Sequence, residues 1–249
     1  AGEGPDDHEV MLRPSEEFTL TRDSMVRSMH EACFLVRDAD PKPLGPETVS
    51  LATKHAAPLE TWDEPEGLTT SQAITARRSK RNYSGVPLER GDADILLGRM
   101  ASMGDEGGSR SLSRAVVWGV LTRNVNGLSN GLHLFDPMNR ELSLVAKGDF
   151  QGAMAKACLE QMWLGLANMH FCFMSDLELL DKRFGPRGYR YAMIQAGRAG
   201  QRIYLSATSL GLGACGIGAF FDGEASSLLK LKDSSKLLYM VACGRIKSA

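Results

Sequence analysis

The stretch from Phe184 to Leu212, FGPRGYRYAMIQAGRAGQRIYLSATSLGL, constrains the fold more than any other part of the chain. A Gly185-Pro186-Arg187-Gly188 turn opens it and Gly211 closes it. Between them Ala192, Ala196, Ala199, Ile203, Ala207 and Leu210 recur at steps of three and four, which places them on one stripe of a helix. The stripe is mostly small, so another backbone can approach it closely. Gly197 and Gly200 each weaken a helix by roughly 1 kcal/mol relative to Ala. A tightly packed helix tolerates that cost when the missing side chains make room for a neighbour. A buried core helix satisfies this pattern. So does a flat face, with Gly200 added to the alanines, that meets its own copy across a two-fold axis.

The rest of the chain supplies both helices and strands. Thr21 to Asp38 has helical spacing through Met25, Met29, Cys33 and Val36. Residues 40–67 are broken by Pro41, Pro43, Pro46, Pro58 and Pro65, which suits an arm lying on a surface, such as a partner subunit's. Two parts are therefore expected: an N-terminal helix and arm over residues 1–68, and one domain over 69–249. Thr70 to Ala76 reads as a short helix capped by Thr69 or Thr70, and Asp92 to Met103 as an amphipathic one. The period then changes to that of strands at Ala115 to Val125, Leu132 to Phe135 and Glu141 to Val145. Asn126-Gly127, Asn130-Gly131 and Asp136-Pro137-Met138-Asn139 supply the turns of an antiparallel meander. Helix is expected over Gly152 to Leu166 and Gly223 to Leu231, and strands at Met169 to Met174, Ala214 to Phe220 and Leu237 to Cys243. Hairpin-linked strands followed by strands alternating with helices indicate an α+β domain, a mixed sheet with helices on both faces.

Composition excludes several classes. The formal charge of −1 over 249 residues gives no overall field toward nucleic acid or a membrane surface, and no apolar run reaches the length of a membrane span. The histidines, His8, His30, His55, His133 and His170, are dispersed without metal-ligand spacing. Cys33, Cys158, Cys172, Cys215 and Cys243 form no CxxC pair; four of the five sit in apolar surroundings and read as buried free thiols, which fits a reducing, cytoplasmic compartment.

One segment carries a chemical signal. Arg77-Arg78-Ser79-Lys80-Arg81 places four cations and a hydroxyl within five residues. Guanidinium forks match phosphate oxygens, and serine adds a neutral donor. The plainer alternative is a solvated basic helix end, favourable to the helix dipole.

RRSKRNY resembles the RRSxRxF/Y signature of the FMN-dependent nitroreductase fold. NGLSNGLHLFDPMNRELSLVAKGDF, ACLEQ, FGPRGYRYAMIQAG, SLGLGACGIGAF and LLYMVACGR follow in order and are similar, block by block, to the SagB-type dehydrogenase branch of that superfamily. The resemblance covers roughly Thr70 to Arg245. It implies a three-layer α/β/α fold with a mixed, mainly antiparallel sheet, and an obligate homodimer binding FMN between subunits. It also implies an oxidoreductase passing hydride through flavin N5, with NAD(P)H a possible donor and a small molecule or peptide as substrate. It assigns Arg77, Arg78, Ser79 and Arg81 to the FMN phosphate and ribityl chain, and Gly216, Ile217 and Gly218 to the edge of the flavin ring. Arg245 falls near a C-terminal phosphate contact.

The departures from the pattern narrow the chemistry. Members that oxidise azolines carry a Lys-Tyr pair where this chain has Arg183 and Phe184. Phenylalanine has no proton to exchange and arginine stays charged, so neither replaces that pair as a base. The family's glutamate and histidine of the central helix are here Gln195 and Arg198, and its flavin-side loop is replaced by Gly108-Ser109-Arg110-Ser111. Azoline-peptide dehydrogenation and a non-catalytic flavin-binding role are the alternatives to a general oxidoreductase.

Overall fold

The computed structural model describes residues 55–62, 67–101 and 115–247. The expected helix at 21–38, most of the arm and the 104–111 loop lie outside the described residues. Seven strands form one sheet in the order β1-β4-β3-β2-β5-β7-β6. They are β1 (His55–Pro58), β2 (Val117–Thr122), β3 (Gly131–Asp136), β4 (Glu141–Lys147), β5 (Met169–Asp176), β6 (Gly213–Ile217) and β7 (Ser235–Gly244). Every pairing between these strands is antiparallel. Parallel contact is confined to isolated bridges, Ser79 with Ala214 and Leu88 with Val125. The sheet is thus less mixed than the sequence suggested, because β7 lies between β5 and β6, which run the same way but never pair with each other.

The helices are α1 (Thr70–Ala76), α2 (Arg90–Ala101), α3 (Gln151–Ala157), α4 (Leu177–Phe184), α5 (Gly188–Ser209) and α6 (Asp222–Leu228). Two hydrophobic clusters flank the sheet. On one face Leu96, Leu97 and Met100 of α2 and Ala192, Ala196 and Ile203 of α5 join Phe171, Phe173 and Val241. On the other, Met154 of α3 and Ala225 of α6 join Leu121, Cys172, Met174 and Met240. The alternation along β5 sends Phe171 and Phe173 one way and Cys172 and Met174 the other, as a strand buried on both faces requires. The result is an α+β fold of three layers.

Local chemistry explains the element ends. Thr69 caps α1 through a reciprocal capping box with Gln72. Asp136 turns β3 into β4 by accepting from the amides of Met138 at 2.8 Å and Asn139 at 3.2 Å. Gly211, at φ +69°, ends α5, and the Leu212 amide reaches back to Ala207 O at 2.8 Å in a Schellman closure. The expected helix over Gly152 to Leu166 is instead broken. α3 stops at Ala157, Leu159 and Glu160 both adopt φ +58°, and a short 3-10 helix follows at Met162–Leu166. Ala157 O accepts from the Phe221 amide at 2.8 Å, a tertiary bond that periodicity does not reveal.

The small-residue stripe has a partner within its own chain. Ala192, Ala196, Ala199, Ile203 and Ala207 are all essentially inaccessible in the single chain. A Cβ at Gly200 would come within 2.6 Å of a Tyr239 ring carbon and 3.3 Å of Val241 Cγ2, so α5 lies directly on β7. The stripe therefore packs on the sheet and not on a symmetry-related helix, because the flat strand surface already fills it. The opposite face of α5 is the exposed one and carries Tyr189, Met193, Ile194 and Gly197.

The end of the proline-broken arm also docks on the chain itself. His55–Pro58 adds an edge strand along β4. Trp62 Nε1 donates to Asp94 Oδ2 at 3.1 Å, and Arg90 Nε reaches the same oxygen at 2.8 Å.

The buried histidine of β5 makes folding sensitive to acid. His170 Nε2 donates to Leu164 O at 3.0 Å, while Nδ1 is buried without a partner. Burial pushes its pKa down to about 4. In the unfolded chain the ring titrates near 6.5, so between these values the unfolded state binds more protons and stability falls as pH falls. Denaturant unfolding at pH 5 should give a stability about 2 kcal/mol below that at pH 7. Equal values would show that His170 is not sealed in the core. Burial raises the buried thiols instead, Cys158 and Cys243 to about 12. All four described cysteines are free, which matches the sequence expectation for inert thiols; Cys33 lies outside the described residues.

Candidate functional site

The fold brings the basic run against the edge of the sheet. The chain leaves α1 at Arg77 and runs beside β6, where the Lys80 amide donates to Ala214 O at 2.9 Å. Tyr83 anchors the end of the run. Its ring is buried and stacks on Trp163 at 6.0 Å, and its hydroxyl donates to Ala242 O at 2.9 Å.

Tyr204, from the C-terminal half of α5, joins the two segments. Its hydroxyl accepts from the Gly216 amide at 2.6 Å and lies 3.0 Å from Ser79 Oγ. The Arg77 guanidinium sits over the Tyr204 ring, 5.1 Å from its centroid, and that of Arg81 lies 5.8 Å from the Trp163 centroid. Ser79, Arg81 and Gly218 are each exposed on the single chain. Arg77, Ser79 and Gly216 therefore meet at Tyr204, while Arg81 is held beside Trp163.

Two expected residues are placed differently. Arg78 Nη1 donates to Thr75 O at 2.9 Å and to Arg77 O at 2.8 Å, so this guanidinium closes the C-terminus of α1, the plainer reading of a basic helix end. Arg245 lies beside the run through its backbone, its carbonyl accepting from the Ser84 amide at 2.9 Å. Its charge is felt by Asp92, where it opposes the upward pull of burial on that carboxyl's pKa.

The glycine of β6 has a reason internal to the chain. A Cβ at Gly216 would fall 1.8 Å from the Tyr239 hydroxyl. Tyr239 stacks on Phe173 and requires glycine both here and at Gly200. Its pKa is raised to about 12, first by burial and then by Tyr204 and Cys215. The Gly216 amide donates to Tyr204 within the chain. A Cβ at Gly218 would meet nothing within 4 Å, so that glycine borders open space.

Arg183 and Phe184 lie at the other end of α5. From Gly188 to Tyr204 the helix rises roughly 24 Å at 1.5 Å per residue. Phe184 packs edge-on against Tyr191 at 5.8 Å. Within one chain these positions are not part of the Tyr204 junction. Sequence reasoning missed Tyr204, Tyr239 and Trp163, although the position of Tyr204 at the border of the buried stripe marked it as facing inward.

An antiparallel sheet between helical layers, with a cationic run held at its edge strand, defines a class of fold shared with known proteins. The family model for the Nitroreductase family matches residues 74–245, and the chain belongs to that family. A protein of Methanocaldococcus jannaschii that bears a nitroreductase name is 29% identical over 181 residues, covering 71% of this chain and 91% of that one. Among solved structures, one named as a nitroreductase from Anabaena variabilis superposes with a TM-score of 0.70 at 24% identity. It covers 89% of this chain, which spans only 47% of that structure's length. The NADPH:FMN oxidoreductase of Vibrio harveyi, complexed with NAD+, superposes with a TM-score of 0.51 at 18% identity, over 72% of this chain and 69% of that one. A chain of the Escherichia coli microcin synthetase complex gives 0.58 at 18% identity, over 76% and 79%. At these identities the structures establish the shared fold. The chain is accordingly an oxidoreductase of the nitroreductase superfamily. Among the described residues no helix is long and apolar enough to cross a membrane.

Proposed function

We propose that this chain is an FMN-dependent oxidoreductase that works as a homodimer and draws electrons from NAD(P)H. The observation that carries this reading is the junction at Tyr204, where the cationic run meets the outer edge of β6. Its donor set fits the cofactor. Arg77 and Arg81 supply two guanidinium groups held by aromatic rings, and Ser79 adds a hydroxyl, a combination suited to a dianionic phosphate. Gly216 to Gly218 would border the ring, with open space at Gly218. When bound, FMN supplies the hydride chemistry through N5. The chain's own residues anchor the phosphate and hold the edge strand in place. One chain leaves the surface open, which favours a second copy as its other wall, with the exposed face of α5 as part of the contact. The 1–68 segment is then an accessory part, and 69–249 the binding domain.

The test is optical. Purified protein should carry a flavin absorbance band, and anaerobic NADPH or NADH should bleach it. A protein whose bound flavin no donor reduces would be a binding module rather than an enzyme.

Azoline oxidation is a narrower reading that the residues oppose. Arg183 keeps its charge and Phe184 has no exchangeable proton. Incubation with azoline peptides should leave their mass unchanged, whereas loss of two hydrogens would show that another base serves.

A further inference from the structure

We propose that Tyr204 is a positioning residue that turns Ser79 into an outward-pointing hydrogen-bond donor for a phosphate. The proposal rests on the phosphate-anchor reading above and adds a residue that the family motif does not name. Its basis is the direction of the hydrogen bonds. The Gly216 N–H can only donate, so the Tyr204 oxygen accepts at 2.6 Å. The phenolic proton remains, and Ser79 Oγ at 3.0 Å lies within its reach. A phenol is the better donor of the two hydroxyls, so the proton goes to the serine oxygen. The serine's own proton is then left for an acceptor outside the chain, where Ser79 is exposed.

The chain Gly216 N–H to Tyr204 O–H to Ser79 O–H runs in one direction, and each bond polarises the next. It ends in a donor and therefore suits an anion. Arg77, stacked over the same ring, places a positive charge beside that end. Tyr204 is nearly buried, at 9% exposure, and its hydroxyl is held between the Gly216 amide and Ser79 Oγ. Gly216 is on the edge strand of the sheet, and its outward amide is satisfied by this bond.

Tyr204→Phe keeps the ring and its stacking with Arg77 and removes only the hydroxyl, so the variant should fold. Fluorescence titration should show its FMN dissociation constant raised about tenfold, while that for riboflavin, which lacks the phosphate, stays within twofold of wild type. Ser79→Ala should weaken FMN similarly, and Tyr204→Phe added to Ser79→Ala should have little further effect, because the tyrosine acts through the serine. The proposal falls if Tyr204→Phe binds FMN as wild type does, if FMN and riboflavin weaken equally, or if the two substitutions are additive. If the wild-type protein binds no flavin, the flavin reading fails by itself. Inorganic phosphate then serves as the probe. Its thermal stabilisation of the wild type should be lost in Tyr204→Phe, and an equal stabilisation of both proteins overturns the role of Tyr204.

Discussion

Ala199→Glu is expected to abolish the folded chain and not merely to separate two subunits. Ala199 is 1% exposed in the single chain and belongs to the cluster between α5 and the sheet. The neighbouring Gly200 fixes how close that contact is, since even a methyl group there would collide with Tyr239. A glutamate would need new volume in a packed layer and would bury a charge without a partner. Either change costs several kcal/mol, and a domain of this kind has only about 5–15 kcal/mol in total. Circular dichroism should show an unfolded or aggregated product. Ile194→Glu is the contrasting variant. Ile194 lies on the outer face of α5 and is 49% exposed, so its melting curve should stay near that of wild type while sedimentation shows monomer, if that face meets a second copy. A folded Ala199→Glu protein with normal thermal stability would contradict the placement of α5 on β7.

The second large effect is expected at the cationic run, and it is unequal among the arginines. Arg77→Ala and Arg81→Ala each remove a charged donor, worth about 1.5–3 kcal/mol, so each should raise the FMN dissociation constant by about tenfold to a hundredfold. Arg78→Ala should change it by less than about threefold. Its guanidinium is turned back onto the carbonyls of Thr75 and Arg77, and its loss should instead loosen the end of α1. Flavin fluorescence quenching measures all three. An Arg78 effect as large as that of Arg81 would mean that the basic run acts through its total charge, not through placed groups.

Much of the fold was legible from period and punctuation. The helical stripe from Ala192 to Ala207 located α5, and the Asn-Gly and Asp-Pro turns located the meander. What the stripe faced was not legible, because a flat row of alanines suits a strand surface and a symmetric helix equally. Only the Gly200–Tyr239 contact decides between them. The break after Ala157 was hidden for a related reason. Cys158, Leu159 and Glu160 include no glycine or proline, and the bond that holds the turn comes from Phe221, far along the chain. At the site the RRSKR run was visible, since cations and a hydroxyl are concentrated in a few residues. Tyr204 was not, because the residues it links are 12 and 125 positions away. The constraint that Tyr239 places on Gly216 was hidden too, because the two residues are far apart in the chain.

The central claim is that the run from Arg77 to Arg81 holds the phosphate of a flavin mononucleotide at the edge of β6. Comparing the affinities of FMN and riboflavin for the same purified protein tests it most directly, because the two ligands differ by the phosphate alone. FMN should bind at least tenfold more tightly, with the gap narrowing in Arg81→Ala. Equal affinities, or a gap that Arg77→Ala and Arg81→Ala leave untouched, would contradict the account.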